Sequence, residues 1–409
     1  MSEELQKQDP GSSTLRILEV SLAHSAWYWV HWGYEKHRLR FALSKGCLLL
    51  GQERRPVGVN LSDRDAHAWA ESAPREVLEH VRTAKLSGTD ALQSLRRLPE
   101  LEALECSDIT ARQLHWVSRL GLPLRALHVA WCEDLVDLSS LGRLPELRRL
   151  VVSDCSRLSD ISAVEGLAWL NCLSLINCDQ VAHVGSLMAL ETLRGLVLRN
   201  CDSISDLSPI GALEGLRLLD LSRCDGVSDL QALSRLRSLR SLDLSDCNVL
   251  KDVSPLMDIE HLRELHLFGC ENVTDMVPLR MMKGLLKLSL PPHVQDEDLR
   301  AVCESLPALV ELDVRGCEGV TDLKAVAGLS ELTALRISDC RNIAALAPLA
   351  HLRKLQHLDM AYCPSVADIT PLHGLSSLRE LHVGGCRCLD ARVLEAFQEA
   401  CPACEVLTT

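Results

Sequence analysis

The feature that most constrains the fold is a repeat, because the same apolar pattern returns every 23 residues along most of the chain. Counted from the first leucine of a copy, aliphatic residues recur at positions 1, 4, 6, 12, 15, 18 and 21, and cysteine recurs at position 9. Twelve copies begin at Leu124, Leu147, Leu170, Leu193, Leu216, Leu239, Leu262, Leu285, Leu309, Leu332, Leu355 and Leu378. Two weaker copies precede them, at Leu78 and Leu101. One copy cannot bury its apolar side alone, so the pattern predicts a stack of repeats, a solenoid.

The pattern inside one copy predicts its local structure. Apolar and polar residues alternate from position 4 to position 6, which indicates a short strand with its leucines directed inward. The later apolar pair, such as Leu207 and Ile210, closes the core from the opposite side. Ser208 and Pro209 lie between them, and we expect Ser to be the N-cap and Pro the first residue of a short helical turn.

The spacing L-x-x-L-x-L-x-x-C resembles the leucine-rich-repeat pattern, and the resemblance covers the chain from about Leu78 onward. It implies an α/β horseshoe-shaped solenoid of about fourteen repeats, with a parallel sheet on the concave face and short helical turns on the convex side. The motif C-x-x-L-x-D-L-S-P-L is similar to the 23-residue repeats of kinetoplastid leucine-rich-repeat proteins. The copy at Leu285 is one residue longer and resembles the more helical, cysteine-containing repeats attached to F-boxes.

The repeats divide the chain into five expected segments. These are a disordered N-terminus at 1–13, a Trp-rich cap region at 14–77, degenerate capping repeats at 78–123, regular repeats at 124–388 and a C-terminal cap at 389–409. Within the cap region, residues 14–22 are predicted to form a strand and residues 23–50 a helix. The segment ARVLEAFQEA predicts a helix in the C-terminal cap.

Composition narrows the classes of partner. The formal net charge is −13, which argues against direct binding to nucleic acid or to an anionic membrane surface. The N-terminal residues have no apolar core of a signal peptide, and no apolar run approaches the ~18 residues of a membrane span. We therefore expect a cytoplasmic protein with reduced thiols.

Cysteine stands at position 9 in eleven of the twelve copies, and His293 is aligned with it in the longer copy. A buried ladder of small, inert side chains is the expected role, because thiols in apolar surroundings have raised pKa values. Cys386, Cys388, Cys401 and Cys404 leave a structural zinc site as the alternative. Since Cys386 belongs to the ladder and should point inward, we predict no metal and no cofactor.

Neither the motifs nor the charged residues indicate catalysis. Nucleotide-binding, metalloprotease and hydrolase motifs do not occur. Aspartate recurs at position 14 of eight copies, and a group repeated along a rod serves each turn locally, most simply by accepting hydrogen bonds from backbone amides. We therefore predict a protein that is not an enzyme and has no small-molecule substrate.

The exposed positions around the strands are the expected binding surface, since aromatic and Arg side chains dominate interface energetics. The predicted partner-binding residues are Trp131, Arg199, Arg223, Asp243, His266, Phe268, Arg315, Arg336, Asp359 and Tyr362. A possible second docking surface consists of Trp27, Trp29 and Trp32, for which capping of the open core is the alternative.

The functional hypothesis is a non-catalytic scaffold or adaptor that binds protein partners in a larger intracellular assembly. The kinetoplastid resemblance points to a cytoskeletal or flagellar complex by analogy alone. The alternative is a substrate receptor of a ubiquitin ligase, which the F-box-type copy at Leu285 suggests.

Overall fold

The computed structural model describes residues 16–18, 41–44, 47–50, 55–62, 64–88 and 90–408. Residues 1–13 and the three tryptophans Trp27, Trp29 and Trp32 lie outside them, so the predictions made for those residues stay predictions.

The described residues form short strands joined by short helices. The strands are β1 (Arg16–Leu18), β2 (Phe41–Ser44), β3 (Cys47–Leu50), β4 (Arg55–Asn60), β5 (Thr83–Ser87), β6 (Ala103–Ser107), β7 (Ala126–Ala130), β8 (Arg149–Ser153), β9 (Cys172–Ile176), β10 (Gly195–Arg199), β11 (Leu218–Asp220), β12 (Ser241–Asp243), β13 (Glu264–His266), β14 (Lys287–Ser289), β15 (Glu311–Asp313), β16 (Ala334–Arg336), β17 (His357–Asp359), β18 (Glu380–His382) and β19 (Glu405–Leu407). The α-helices are α1 (Arg64–Ser72), α2 (Arg75–Leu78), α3 (Ala111–Ser118), α4 (Ser208–Gly211), α5 (Val277–Met281), α6 (Asp296–Ser305) and α7 (Ala391–Ala400). Short 3₁₀-helices span Leu92–Arg97, Ser139–Arg143, Ser162–Gly166, Gly185–Ala189, Gln231–Arg235, Ser254–Asp258, Lys324–Gly328, Ala347–His351 and Thr370–Gly374.

The chain forms two compact units. The first comprises Met1–Leu158 and Gly166–Leu173, and the second comprises Ser159–Glu165 and Ser174–Thr409. Within the first unit, β4 to β8 pair in parallel in chain order. Within the second unit, β10 to β19 do the same. The predicted α/β solenoid with parallel strands is confirmed.

The period of 23 residues sets the register of the strands. Leu242 lies opposite Leu265, which is 23 residues later, and this relation holds through the regular repeats of the second unit. Leucines at positions 4 and 6, such as Leu242 and Leu244, have no exposed surface. The position 18 residue Leu256 is equally buried and closes the core from the helical side, as predicted.

The eleven cysteines at position 9 are all buried, and ten of them have no exposed surface. In the second unit each of these thiols from Cys201 onward donates a hydrogen bond to the carbonyl of the residue 26 positions earlier; for Cys247 the acceptor is Leu221, at 3.1 Å. The ladder therefore connects consecutive repeats, and its buried, architectural role is confirmed. His293, in contrast, is exposed, while the adjacent Val294 is buried, so the longer copy interrupts the ladder.

The eight aspartates at position 14 each accept a hydrogen bond from the backbone N–H two residues later, with distances of 2.7–2.9 Å. This confirms their predicted local role and corrects the expected cap. The Ser208 side chain is not the N-cap; Ser208 is the first helical residue, Pro209 is the second, and Asp206 receives the Ser208 N–H. The carboxylate satisfies an amide that the short turn cannot pair within itself.

The described strands β2 and β3 near the N-terminus depart most from the expectations. A helix over 23–50 was wrong at its C-terminal part, because β2 and β3 pair antiparallel there. Two short apolar runs flank Lys45-Gly46, a spacing typical of a hairpin rather than a helix. The helix predicted for ARVLEAFQEA is confirmed as α7, and β19 extends the sheet of the second unit beyond it. The longer copy contains the helix α6.

Candidate protein-binding face

The strands determine which side chains leave the core. In β13, Leu265 at position 4 is fully buried, while Glu264 and His266 on either side of it are partly exposed. Because successive side chains of a strand point to opposite faces, positions 3 and 5 of every repeat share the face of the strands opposite the leucine at position 4, on which some residues, such as Val197 and Ser289, are buried. Positions 7 and 8 continue this surface where each strand ends. We call the part of it within the second unit, over β10 to β18, the strand face.

Position 8 has a left-handed backbone in the regular repeats. In the second unit this position holds Asn177, Asn200, Arg223, Asp246, Gly269, Gly316, Asp339, Tyr362 and Gly385, with φ between 53° and 74°. Glycine, asparagine and aspartate tolerate this conformation, whereas a bulky side chain in it is strained. Tyr362 is therefore costly to the backbone, and its side chain is 60% exposed. Trp131 has the same conformation in the first unit and is 58% exposed.

The ring of Tyr362 lies over the backbone of the next repeat. A Cβ atom added at Gly385 would clash with the Tyr362 ring, so glycine at that place provides the room for the ring. The Tyr362 N–H donates to the carbonyl of Gly384 at 2.7 Å, which fixes the backbone that carries the aromatic side chain. The strand face thus presents an aromatic ring on a rigid support.

Arg315 is the most strongly fixed cation of the strand face. Its Nε and Nη2 atoms donate to the carboxylate of Asp313, with Nη2–Oδ2 at 2.8 Å. Its guanidinium carbon lies 4.8 Å from the centroid of the Phe268 ring, within the range of a cation–π contact. The hydrogen bonds that Arg315 donates to Asp313, together with the charges of Asp313, Asp359 and Asp246, raise the pKa of Arg315 against the opposing effect of burial. Two predicted residues, Phe268 and Arg315, are therefore brought together in one preorganised pair.

The other predicted cations pair with acids of the neighbouring repeats. Arg199 donates to Asp220 at 2.6 Å and to the Ser222 hydroxyl at 3.0 Å. Arg223 lies 3.3 Å from the carboxylate of Asp246. The Arg336 guanidinium and the Glu311 carboxylate are 3.7 Å apart. These arginines are spread along the strand face and do not converge on one point.

Two of the predicted acids have a local structural task. Asp243 accepts a hydrogen bond from the Ser245 N–H at 2.9 Å, and Asp359 accepts one from the Ala361 N–H at 3.2 Å. Asp220 and Asp313, also at position 5, accept the same hydrogen bond from the backbone N–H at position 7. These carboxylates stabilise the backbone at the end of the strand, as the position 14 aspartates stabilise the start of the helical turn. The recurrence of Asp at position 5 was the signal that could have revealed this role.

One charged group of the strand face was missed. The ammonium of Lys287 lies 3.2 Å from Glu264 and 3.1 Å from Glu311, so it bridges the repeats on both sides. Position 3 of three consecutive repeats reads Glu, Lys, Glu, and this alternation of charge could have been read from the sequence. His266 lies beside this bridge on β13 and is partly exposed.

The cysteines considered as a zinc site differ in their surroundings. Cys386 is buried and donates to the Met360 carbonyl at 2.9 Å, and Cys404 is buried as well, while Cys388 is exposed. Within the described residues, no group of three or more His, Cys, Asp or Glu side chains is placed to hold a metal ion. In the same part of the chain, none of the helices has the length and apolar character needed to cross a membrane.

Comparison with known proteins supports the fold. A family model described as Leucine Rich repeat matches residues 235–253. Among solved structures, the chain is similar to a leucine-rich-repeat protein of Leptospira interrogans at 17% identity, with 85% of this chain and 99% of that chain covered and a TM-score of 0.51. It is also similar to two proteins of Listeria monocytogenes. The first is an internalin, at 22% identity over 83% of this chain and 86% of that chain with a TM-score of 0.44; the second is internalin C2, at 28% over 53% and 80% with a TM-score of 0.36.

A search of curated proteins finds no match. The 23-residue register, the matched repeat and the Leptospira structure together identify the fold of this chain as an α/β leucine-rich-repeat solenoid.

Proposed function

We propose that this chain is a non-catalytic scaffold or adaptor that binds a protein partner through the strand face of its second unit. The observation that carries the proposal is Tyr362, a bulky aromatic residue held exposed in a left-handed backbone where the other repeats mostly use Asn, Asp or Gly. A strained residue that gains little burial from its position is a candidate for function. Leucine-rich-repeat folds generally serve as protein-interaction modules, which agrees with this role.

The pair of Phe268 and Arg315 supports the same surface. Arg and aromatic side chains are the residue types that concentrate binding energy at protein interfaces. Phe268, Arg315 and Tyr362 stand in three repeats that alternate with two others, so they span four strand spacings, about 19 Å. An extended segment of about six residues has this length. We expect a partner segment to contact all three side chains along the strand face.

The charges of this face favour a protein partner over a polyanion. Arg199, Arg223 and Arg315 are each paired with an aspartate, so their positive charge is already compensated. Binding to the phosphate backbone of a nucleic acid would require Lys and Arg side chains that are not already paired with acids. The proposal therefore includes no direct binding of nucleic acid through the strand face and no small-molecule substrate. We also propose an intracellular assembly, with cytoskeletal or flagellar complexes as the first place to search.

A second candidate function is that of a substrate receptor in a ubiquitin ligase. The observation in its favour is α6, ten residues long, whereas the helical turns of the two neighbouring repeats have five residues. Purification of the chain from its native cells should then recover a Skp1-like or cullin subunit in constant proportion. Reproducible absence of both subunits from the purified complex would refute this candidate and leave the scaffold proposal standing.

The test of the scaffold proposal is affinity purification from native cells with quantitative mass spectrometry. The test variant is Phe268→Ser/Tyr362→Asn, because asparagine suits the left-handed backbone and removes only the ring. The control is Met257→Ser, which removes an exposed apolar side chain on the helical side of the same unit. We expect partners to be lost from the test variant and kept by the control. Full retention of the partner set by a folded test variant would refute binding through the strand face.

A further inference from the structure

The first unit contains a basic depression that the proposed function does not use. It is open to solvent, has a volume of about 380 Å³ and is lined by Arg96, Arg112, His115, Trp116, Arg119 and Leu120. This volume is within the range of small-ligand sites. No carboxylate is among the lining residues, although acids exceed bases in the chain as a whole. The depression is therefore a local concentration of positive charge on an acidic protein.

The helix α3 sets the geometry of the depression. Arg112, His115, Trp116 and Arg119 follow the spacing i, i+3, i+4 and i+7, so they form one stripe along the helix. Leu114 and Val117 on the opposite side are buried and fix the helix to the core. The stripe is consequently held on a rigid element and faces outward.

The fourth cation comes from the preceding turn. The guanidinium carbon of Arg96 lies 5.2 Å from the centroid of the Trp116 ring, so a cation–π contact directs it over the helix stripe. Its neighbour Arg97 behaves differently, because Nη2 of Arg97 donates to the Ala73 carbonyl at 2.8 Å and so holds the backbone. Arg97 thus has a structural partner, while Arg96 is directed toward the depression.

The three arginines of the depression lack acidic partners. Among the residues that the structure describes, the guanidinium groups of Arg96, Arg112 and Arg119 form neither a hydrogen bond nor an ion pair. Arg125, in the same unit, does pair with a carboxylate, that of Glu102 at 3.4 Å. Three like charges around one depression repel each other, and an anion bound between them would remove that repulsion.

Helix stability does not account for the stripe. Thr110 and Gln113 form a capping box that already satisfies the start of α3. Arg112 lies in the first turn, where a positive charge opposes the helix dipole and an acidic residue would be favoured. Only Arg119, at the C-terminal end of α3, has the sign that the dipole favours. The residue that stabilises the helix least, Arg112, therefore needs another explanation.

We propose that this depression is a binding site for a phosphate monoester dianion. Guanidinium groups bind phosphate oxygens through paired N–H donors, so three of them can serve the three terminal oxygens of one phosphoryl group and more than neutralise its two negative charges. Trp116 and Leu120 provide an apolar wall for the carbon atoms next to the ester oxygen. The size of the cluster suits one phosphoryl group, whereas a nucleic acid would need a longer basic surface. A phosphorylated side chain and a small phosphate ester share this chemistry.

The test uses the purified full chain with two probes at constant ionic strength. One is inorganic phosphate, measured by calorimetry against chloride; the other is a fluorescent library of phosphoserine-centred peptides, measured by anisotropy against the unphosphorylated library. Saturable binding of the phosphoserine peptides, competed by phosphate, supports the site and identifies a protein source. Binding of phosphate without preference for the phosphopeptides supports the site with a small ester as its ligand. Binding of neither probe overturns the proposal.

Variants locate the binding. Arg112→Gln/Arg119→Gln should weaken binding about tenfold or more, since each lost charged hydrogen bond changes affinity on that scale. The matched control is Arg157→Gln, which removes the same charge from an exposed position of the same unit outside the depression. Equal binding by the double variant and the wild type would overturn the proposal. The Phe268→Ser/Tyr362→Asn variant should bind the probes normally, so the outcome is independent of the strand-face proposal.

Discussion

The cysteine ladder makes a prediction whose magnitude follows from its geometry. Cys247 has no exposed surface, and its thiol donates to the Leu221 carbonyl of the preceding repeat at 3.1 Å. Cys247→Ala removes one buried heavy atom, which costs about 1 kcal/mol by analogy with single-group deletions in cores. It also takes the thiol donor from a buried carbonyl, which costs roughly 1 kcal/mol more because a thiol is a weak donor. We expect the free energy of unfolding to fall by about 2 kcal/mol.

The measurement is urea denaturation followed by circular dichroism, together with hydrogen exchange of the backbone amides. The midpoint should move to lower urea with an unchanged m-value, since the same surface is exposed on unfolding. Faster exchange should be concentrated in the repeats that begin at Leu216 and Leu239, because their packing is what the variant weakens.

The matched control is Cys388→Ala, at an exposed cysteine outside the ladder. Its unfolding free energy should stay within about 0.5 kcal/mol of the wild type. If Cys247→Ala changes stability as little as this control does, the thiols neither fill nor connect the repeats, and the structural account of the ladder is refuted.

Three further predictions concern the reactivity of the cysteines, the pH dependence of stability and the backbone positions that require glycine. Burial raises the pKa of Cys340, a ladder thiol, to about 12. A thiol reagent at pH 8 should therefore label the exposed Cys388 and leave the buried cysteines of the folded ladder unlabelled. Equal labelling of both, measured by peptide mass spectrometry, would contradict this. Hydrogen bonds from Ser254 lower the pKa of Asp252, so its contribution to stability is complete above the unfolded value near 4 and is lost as the pH falls through the lower folded value. Denaturation midpoints at pH 6 and pH 3 should therefore differ less in Asp252→Asn than in the wild type, and an equal difference would contradict the assignment. A Cβ at Gly226 would clash with the backbone carbonyls of the preceding repeat, whereas a Cβ at Gly316 meets no atom and is disfavoured only by the left-handed backbone at that position. Gly226→Ala should therefore lower the melting temperature more than Gly316→Ala. The reverse order would refute the reasoning.

Periodicity explains what could be predicted from the sequence. A residue that recurs at one position in many repeats has the same neighbours each time, so its role can be derived once and applied throughout. The buried ladder and the position 14 aspartates were predictable for this reason. The same argument would have assigned Asp243 and Asp359 to the ends of their strands, had their recurrence at position 5 been weighed above their charge.

Contacts that depend on unique geometry were not predictable. Phe268 and Arg315 lie on either side of the longer repeat at Leu285. The distance between the Arg315 guanidinium and the Phe268 ring therefore depends on where the extra residue of that repeat lies. The basic depression combines Arg96 from one repeat with a stripe on α3 from the next, and the two segments follow different local structures. The antiparallel pairing of β2 with β3 was not predicted, although two short apolar runs separated by Lys45-Gly46 are typical of a hairpin.

The chain's own repeats serve as the comparison that locates function. Packing explains a residue that agrees with the repeat consensus. It also explains a residue that differs from the consensus but is better buried because of the difference. Tyr362 departs at a cost to the backbone and stays exposed, and Arg112 departs from what its helix end favours and has no acidic partner among the described residues. In both cases we infer that the missing compensation comes from outside the chain, from a partner segment over the ring and from an anion between the guanidinium groups. The two sites are therefore inferred from one physical criterion, and each can fail without the other.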